Sequence, residues 1–272
     1  MPEGDTIFRA ARNIGRALSG RRITRFESIF PHLNRVHEDD PIEGRTVQSV
    51  SPRGKHLLIR FSGNLTLRTH MRMKGSWHIY RHEEPWKRSR RNARIILETD
   101  ELVVVGFSIP VAELFRSDHE SKNRDLRRLG PDLLDPDFDI TEASERLRAR
   151  SSSIAADVLL DQTVVSGIGN VYKSEVLFIC GINPKRTVNS LDDSQVSSLI
   201  ETARQLMRRN VDPQLPPTGR RTTRRLDPSA KLWVYGRGSS PCRKCSSPVR
   251  RDLVGRDARV TYWCPACQPA VG

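Results

Sequence analysis

The sequence of 272 residues has no run of 18 or more apolar residues, so it encodes no ordinary membrane-spanning helix. Its opening residues, MPEGD, also lack the basic and apolar regions of a signal peptide. We therefore expect a soluble cytoplasmic protein, associated with the nucleoid if the source is prokaryotic. Hydrophobic residues make up 36% of the chain, which is enough to bury a core and excludes a disordered protein.

Cysteine and lysine are both scarce. Five cysteines in a chain of this length exclude a disulfide framework, and four of them lie close together near the C-terminus, which favours a metal site. Only eight of the 46 basic residues are lysines. The excess of arginine suits bidentate contacts with phosphate, although a biased codon usage explains it equally well. Against 32 acidic residues the net charge is +14, which favours a polyanion such as nucleic acid, with an anionic membrane as the alternative.

Hydrophobic patterns predict an α+β multidomain fold. Apolar residues recur every three or four positions over 5–18, as on one face of a helix, and the helix is expected to end before Gly20. From about 22 to 109, seven short alternating runs separated by turn residues predict a β-sandwich. Polar residues and two prolines then predict a linker. The expected division is an N-terminal domain at 1–118, a linker at 119–137, a helical domain at 138–230 and a C-terminal segment at 231–272.

The region beyond the linker is helical in pattern. Three segments are predicted as helices: 141–149, 153–165 and 170–180. Ser190 and Asp193 have the spacing of a capping box for a further helix that runs to about Arg209. Residues 211–230 have no apolar period, so a mobile loop is expected. Residues 202–272 contain fifteen basic and four acidic residues, so most of the surplus charge lies near the cysteines.

The four C-terminal cysteines form two pairs, Cys242-x-x-Cys245 and, after eighteen residues, Cys264-x-x-Cys267. Each pair can chelate one ion from a tight turn, and the spacer is long enough for a hairpin. Four thiolates favour one structural Zn²⁺, with an iron centre or a redox dithiol as alternatives. Cys180 lies on an apolar helix face and is expected in the core. Arginines in the spacer indicate that the hairpin contacts phosphate. The alternative is a metal site that only stabilises the fold, with the arginines exposed to solvent.

Two shorter features indicate chemistry only in combination with others. The run Gly167-Ile168-Gly169-Asn170 opens a helix, and a helix N-terminus can bind phosphate, although such glycines usually only form a turn. Pro2 exposes a secondary amine once Met1 is removed, and the ordinary α-amino pKa of about 7.7–8.0 leaves a neutral fraction at physiological pH. Such an amine can displace a leaving group at a sugar anomeric carbon while Glu3 transfers protons. Because many proteins begin with Met-Pro, Pro2 alone indicates little.

Five stretches together resemble the formamidopyrimidine-DNA glycosylase/endonuclease VIII family of base-excision repair enzymes. They are PEGDT at 2–6, RGKHLL at 53–58, HMRMKGSW at 70–77, LLDQTVVSGIGNVYKSE at 159–175 and YWCPAC at 262–267. Their order is that of the family, and they span essentially the whole chain. The resemblance implies an N-terminal helix with a β-sandwich, a helix-two-turn-helix domain and a C-terminal zinc-finger hairpin. It further implies a monomer that grips kinked, damaged DNA, with one structural zinc as its cofactor.

The resemblance also implies roles for individual residues. Pro2 would attack C1′ of the damaged nucleotide, Glu3 would assist glycosidic cleavage and proton transfer, and Lys55 would contact phosphate and the damaged nucleotide. Six residues would bind DNA, the first three as a wedge that fills the space of the extruded base and the others as phosphate contacts: Arg72, Met73, Lys74, Gly169, Asn170 and Arg259. Strand alternation alone would instead place Met73 in the core.

Two departures from the family pattern bear on the chemistry and on the substrate. Thr6 stands where many members have a second glutamate, which leaves open how Glu3 and Asp5 divide the proton transfers. The D-x-R-x-F-G loop of 8-oxoguanine enzymes is replaced by VVVGFSIPVAEL at 103–114, and the 211–231 loop lacks the residues associated with capping 8-oxoguanine. The replaced loop and the missing capping residues favour the endonuclease VIII branch, with oxidised pyrimidines as substrates of a bifunctional glycosylase and lyase that acts by β,δ-elimination.

Three alternatives stay open at this point. The first is an 8-oxoguanine or formamidopyrimidine glycosylase on the same scaffold. The second is a non-catalytic DNA-binding protein that recognises lesions or DNA structure, which would have no need of a free N-terminal amine. The third is a zinc-ribbon RNA-binding module, which explains the cysteines and the charge but not the N-terminus.

Overall fold

The computed structural model describes residues 2–214, 219–225 and 227–270, and the chain forms two compact units, Met1–Arg127 and Arg128–Gly272. In the first unit, helix α1 (Gly4–Leu18) buries the apolar stripe that its sequence predicts, with Ile7 and Ile14 each 1% exposed. No helix in the described ranges is long and apolar enough to cross a membrane.

The first unit is a sandwich of two antiparallel sheets, each with four strands. One sheet has the order β2-β3-β4-β8 and the other β1-β6-β7-β5. The strands are β1 (Arg25–Ser28), β2 (Val47–Arg53), β3 (His56–Phe61), β4 (Leu65–His70), β5 (Ser76–Arg81), β6 (Ala93–Glu98), β7 (Leu102–Phe107) and β8 (Val111–Arg116). Side chains of both sheets and of α1 share one core, and this arrangement confirms the predicted sandwich.

Several elements of this unit were not predicted. Strand β8 follows β7 after a reversal at Ser108, whose φ of 50° turns the chain inside what reads as one continuous apolar run. The sandwich therefore has eight strands rather than seven. Helix α2 (Pro31–Asp39) buries only Leu33, so its sequence shows almost no repeat of buried apolar residues with the period of a helix. In the predicted linker, a 3₁₀ segment (Ser117–Lys122) and one helical turn, α3 (Arg124–Arg127), are ordered.

The second unit packs its helices around a separate core. Its elements are α4 (Ile140–Arg148), α5 (Ala155–Val158), α6 (Asn170–Ile179), α7 (Asp193–Val211), β9 (Arg250–Val254) and β10 (Arg259–Trp263). Strands β9 and β10 form an antiparallel hairpin that carries the cysteine-rich end of the chain. The arrangement confirms the predicted fold class. Within the predicted mobile loop, residues 215–218 and 226 lie outside the described residues.

Two local predictions for this unit were wrong. The capping box of α7 is formed by Asp192 and Gln195, not by Ser190 and Asp193, because residues up to Ser190 form a 3₁₀ turn that delays the helix start. The apolar segment 153–165 is helical only in α5. Its other buried apolar residues lie in turns, so burial rather than helical period explains the run.

Candidate active site

The start of α1 sets the environment of Pro2. Glu3 is the N-cap residue, fully buried, and its carbonyl oxygen accepts hydrogen bonds from the N–H groups of Thr6 (2.9 Å) and Ile7 (3.1 Å). Asp5 is equally buried, but its carboxylate lies 3.3 Å from the Arg9 guanidinium and accepts a hydrogen bond from the Thr6 hydroxyl. A buried carboxylate therefore directly follows Pro2, while the second one has its charge offset by arginine.

Lys55 lies at the same end of the sandwich as Pro2. The N–H of Gly20, just after α1, donates to the Val47 carbonyl at 2.8 Å, so the C-terminus of the helix is fixed at the start of β2. Gly15, one turn earlier in the helix, lies against Val50, so α1 runs antiparallel to β2 and its start lies where β2 turns into β3. That turn consists of Gly54, with φ of 56°, and Lys55.

A histidine pair extends this end of the sheet. His56 begins β3 and is in register with His70, the last residue of β4, and their rings meet edge-on at 4.8 Å. Burial, together with the charges of Arg72 and Lys55, lowers the pKa of His70 to about 4. Burial and the neighbouring His70 lower the pKa of His56 to about 3. Both imidazoles are therefore neutral at physiological pH. His70 was missed as a site residue, although the motif HMRMKGSW begins with it.

The predicted wedge is a tight turn that follows β4. The Gly75 N–H donates to the Met71 carbonyl at 2.9 Å, and a Cβ on Gly75 would lie 2.5 Å from that oxygen, so only glycine fits. Arg72 has a φ of 49°, and its N–H donates to Nδ1 of His70 at 3.0 Å, which places the imidazole proton on Nε2. Met73 is 64% exposed, which rules out the core position that strand alternation would give it.

The turn between β7 and β8 occupies the position of the missing D-x-R-x-F-G loop. It has only three residues, Ser108, Ile109 and Pro110. The Ile109 side chain is fully buried and lies over Gly106, where an added Cβ would be 2.6 Å from it. This turn projects no long side chain that could probe an opposite base.

In the second unit, the Gly167–Asn170 turn is held by a residue that sequence reasoning missed. The Gln162 side chain accepts a hydrogen bond from the Gly167 N–H at 3.1 Å and donates to the Ile168 carbonyl at 3.1 Å. Gly167 has a φ of 106°, a conformation that favours glycine. Helix α6 begins at Asn170, so the glycines of the turn directly precede a helix N-terminus.

Lys173 joins this turn to the C-terminal hairpin. It is fully buried, and its ammonium donates to Thr261 Oγ1 at 2.7 Å, to the Val260 carbonyl at 3.1 Å and to Asn170 Oδ1 at 3.4 Å. Lys173 thereby links Asn170 to β10, the strand that begins at Arg259. Arg259 keeps 56% of its side chain exposed.

Glu175 fixes the segment that leads into the hairpin. Its fully buried carboxylate accepts hydrogen bonds from the N–H groups of Trp233 (2.8 Å), Val234 (2.9 Å) and Tyr235 (2.8 Å), and from the hydroxyl of Thr222. Burial raises the pKa of Glu175. The structural roles of Lys173 and Glu175 are not evident from the sequence, because their hydrogen-bond partners in the hairpin and the segment before it lie about 50 to 90 residues away along the chain.

The four paired cysteines can hold one metal ion. Their sulfur atoms all lie within 4.8 Å of one another, with 3.8 Å between Cys242 and Cys267 and 3.5 Å between Cys245 and Cys264. A tetrahedral ion with metal–sulfur bonds of about 2.3 Å needs sulfur atoms about 3.8 Å apart, so the ligand set fits such an ion. Cys180 is not part of the cluster, since its Sγ lies 3.5 Å from Thr202 Oγ1.

Two family models match the sequence, the formamidopyrimidine-DNA glycosylase N-terminal domain over residues 1–130 and the H2TH domain of the same enzymes over residues 129–216. The chain belongs to the formamidopyrimidine-DNA glycosylase family. Family membership gives its activity class, that of a DNA glycosylase and DNA-(apurinic or apyrimidinic site) lyase of base-excision repair.

Relatives within the formamidopyrimidine-DNA glycosylase family span nearly the full chain. "Probable endonuclease 8 2" of Streptomyces coelicolor is 41% identical over 271 residues, which cover 98% of this chain and 94% of that protein. "DNA-(apurinic or apyrimidinic site) lyase Nei2" of Mycolicibacterium smegmatis is 36% identical over 99% of this chain and all of that protein. The fold is that of Lactococcus lactis formamidopyrimidine-DNA glycosylase, with a TM-score of 0.83, 23% identity, and coverage of 98% of this chain and 100% of that one.

Proposed function

We propose that this enzyme excises oxidised bases, pyrimidines foremost, from DNA and cleaves the strand by β,δ-elimination through a Schiff base on Pro2. The observation that carries the proposal is the fully buried Glu3 carboxylate directly after Pro2, at the end of the sandwich that also bears Lys55. Binding alone would not require a free amine beside a buried proton carrier. Trapping with borohydride on an abasic oligonucleotide tests it, because only a Schiff-base lyase forms the covalent adduct, whereas a DNA- or RNA-binding module does not.

The reaction follows from these groups. The damaged nucleotide leaves the base stack, and the Pro2 nitrogen, free after loss of Met1, donates its lone pair to C1′. The glycosidic bond breaks, the base departs with the bonding electrons and gains a proton, and the opened sugar forms an iminium. The iminium makes the C2′ proton acidic, and its removal expels the 3′ phosphate with formation of a C2′–C3′ double bond. Removal of the C4′ proton from this conjugated iminium then expels the 5′ phosphate. We assign the proton transfers to Glu3 and the contact with phosphate and nucleotide to Lys55.

The DNA contacts are distributed over both units. In the first unit, Arg72, Met73 and Lys74 serve as the wedge, and the exposure of Met73 in a rigid turn supports this role. In the second unit, the backbone at Gly169 and the side chains of Asn170 and Arg259 bind phosphate. The Lactococcus lactis relative was solved bound to DNA that contains an abasic site, which is consistent with these assignments.

We assign Zn²⁺ to the cluster of Cys242, Cys245, Cys264 and Cys267. Four thiolates in tetrahedral spacing suit zinc, which would hold the hairpin that bears Arg259. The assigned ion has a structural role only, so no step of the reaction is attributed to it.

Oxidised pyrimidines such as thymine glycol or 5-hydroxycytosine are expected to be excised faster than 8-oxoguanine opposite cytosine. The reason is the three-residue turn at 108–110, which leaves the enzyme without a probe for the orphan base. Because extrusion from a duplex costs a few kcal/mol that such a probe would help to offset, bubble and single-stranded DNA should also be accepted. Single-turnover excision rates on matched oligonucleotides measure this. A preference for 8-oxoguanine opposite cytosine in duplex would assign the enzyme to the other branch.

His70→Ala is expected to weaken the wedge, whereas His70→Asn should preserve it. Asparagine can accept the N–H of the residue two positions later through its own side chain, as His70 now does for Arg72. Loss of this hydrogen bond costs about 1 kcal/mol, or roughly fivefold in the population of the ordered turn. Since both variants lose the imidazole, the ratio of duplex to single-strand excision rates isolates the turn. Equal ratios for the two variants would exclude this role of His70.

A further inference from the structure

The connection from β5 to β6 is a basic segment held on the outer face of one sheet. Strands β5 and β6 both pair antiparallel with β7, on opposite sides of it, so residues 82–92 must cross β7. Trp86 anchors this crossover, since it stacks on Tyr80 at 6.0 Å and meets Phe107 edge-on at 5.6 Å. The Lys87 N–H donates to the Tyr80 hydroxyl at 3.2 Å. The crossover is therefore fixed on the sheet by its own small aromatic core.

The second half of the crossover presents four exposed cations: Lys87, Arg88, Arg90 and Arg91. Within the described part of the chain, none of the four has a carboxylate within salt-bridge distance. The segment's own acids, Glu83 and Glu84, line one pocket together with Arg88 and Arg90. Among the residues described, they form no ion pair with these arginines, and Glu84 accepts the N–H of Arg81 at 3.0 Å. The proposed function uses none of these four charges.

Strand register places the end of the crossover close to the wedge. Ala93 and Ser76 are both paired with Phe107, so the 3₁₀ turn Arg90–Asn92 lies level with the first residue of β5. Neighbouring strands are about 4.8 Å apart, which puts this turn roughly 10–15 Å from Lys74. Along a DNA strand, with one phosphate about every 3.4 Å of axis, that distance spans about three or four nucleotides.

We propose that Lys87, Arg88, Arg90 and Arg91 form a second phosphate-binding surface that grips the DNA backbone three or more nucleotides from the lesion. The inference rests on the proposed wedge. A protein partner would call for an exposed apolar anchor, but Trp86 is half-buried and its ring is covered by the Arg90 guanidinium at 5.0 Å. Cations without such an anchor suit the DNA backbone, which repeats one phosphate charge per nucleotide and is bound independently of the base sequence.

The test compares the double variant Arg90→Gln/Arg91→Gln with the control Arg16→Gln/Arg22→Gln. The control removes two exposed charges at the opposite end of the unit. There α1 ends, and the backbone of Arg22 pairs with that of Thr46 in an isolated antiparallel β-bridge. For an abasic-site duplex with twelve base pairs on each side, the crossover variant should bind roughly tenfold more weakly, with a salt slope lower by about 1.8. On a duplex of the same length in which the phosphates three or more nucleotides from the abasic site are replaced by uncharged methylphosphonates, the two variants should bind alike. The control should match the wild type on both duplexes.

Two further measurements separate the possible failures. The thermal unfolding midpoint of the control should equal that of the wild type, and that of the crossover variant should lie only slightly below it, because Arg90→Gln removes the guanidinium from the Trp86 ring. Borohydride trapping at saturating protein should be unchanged in the crossover variant, so a failed flank contact is distinguishable from failure of the Pro2 chemistry. An unchanged salt slope, or an equal loss in the control variant, would overturn the proposal. Loss of binding to polyglutamate with DNA affinity intact would also overturn it and indicate an acidic protein partner.

Discussion

Placing one extra residue ahead of Pro2 is expected to abolish borohydride trapping on abasic DNA while DNA binding persists. The extension converts the secondary amine into a tertiary amide, whose nitrogen lone pair is delocalised and cannot attack C1′. Removal of a covalent nucleophile costs several orders of magnitude, so we expect at least roughly 10³-fold less adduct at equal time. Denaturing gels of the trapped complex measure the adduct, and a gel shift measures the binding.

The matched control is Pro2→Gly with a processed N-terminus. It keeps an α-amino group in place and should still form the adduct, at a reduced rate, because a primary amine also gives an imine. Equal trapping by the extended chain would show that another amine is the nucleophile and would refute the assignment to Pro2.

Glu3→Gln should retain affinity for abasic DNA and lose most of the elimination rate, typically about 10²–10⁴-fold for a general acid or base.

Cys264→Ser is expected to release the zinc and unfold the C-terminal hairpin. Binding of a structural zinc contributes about 10–16 kcal/mol to the folding of small metal-dependent modules, so loss of one thiolate affects the whole hairpin. Since Arg259 lies on that hairpin, DNA affinity should fall by more than tenfold with little dependence on the lesion. Elemental analysis of the purified wild type should give one equivalent of zinc per chain.

Cys180→Ser provides the matched control. The Cys180 sulfur lies against Ser198 and Thr202 of α7, outside the cluster, so the variant should keep one equivalent of zinc and wild-type affinity for DNA. Retention of zinc by Cys264→Ser together with its loss from Cys180→Ser would contradict the ligand assignment. Iron in place of zinc in the wild type would leave the ligands correct and change the identity of the metal.

The sequence predicted the features that depend on local pattern. The apolar residues of α1 recur every three or four positions, which predicts a helix. The spacing of the paired cysteines lets two thiolates of one turn bind the same metal ion. Helix α2 was missed because it buries a single residue, and β8 was missed because the Ser108 reversal lies inside an apolar run. The cap of α7 was misplaced since SLDDSQ contains two overlapping capping patterns, and only the preceding 3₁₀ turn decides between them.

The supporting residues of the site could not be predicted in the same way. Lys173 and Glu175 occupy a helix whose sequence shows only a mild excess of apolar residues, yet both are completely buried. Their burial depends on partners distant in the chain, and no local periodicity reports such partners. Gln162 likewise gains its role only once the Gly167 turn has formed. These supporting residues lie within the quoted motif at 159–175, yet the motif does not report what they hold in place, and only the fold shows it.

The ammonium of Lys173 couples the Gly167–Asn170 turn to the C-terminal hairpin. Two of its partners, Thr261 and Val260, belong to the strand that leads into Cys264. If the proposed ion leaves and that strand detaches, the buried ammonium loses these two hydrogen bonds, which is costly in free energy. Asn170 should then lose its orientation together with Arg259. Because the proposed ion is a single one per chain, metal starvation would divide a population of these molecules into competent and incompetent ones, and molecules with an intermediate grip on DNA would not accumulate.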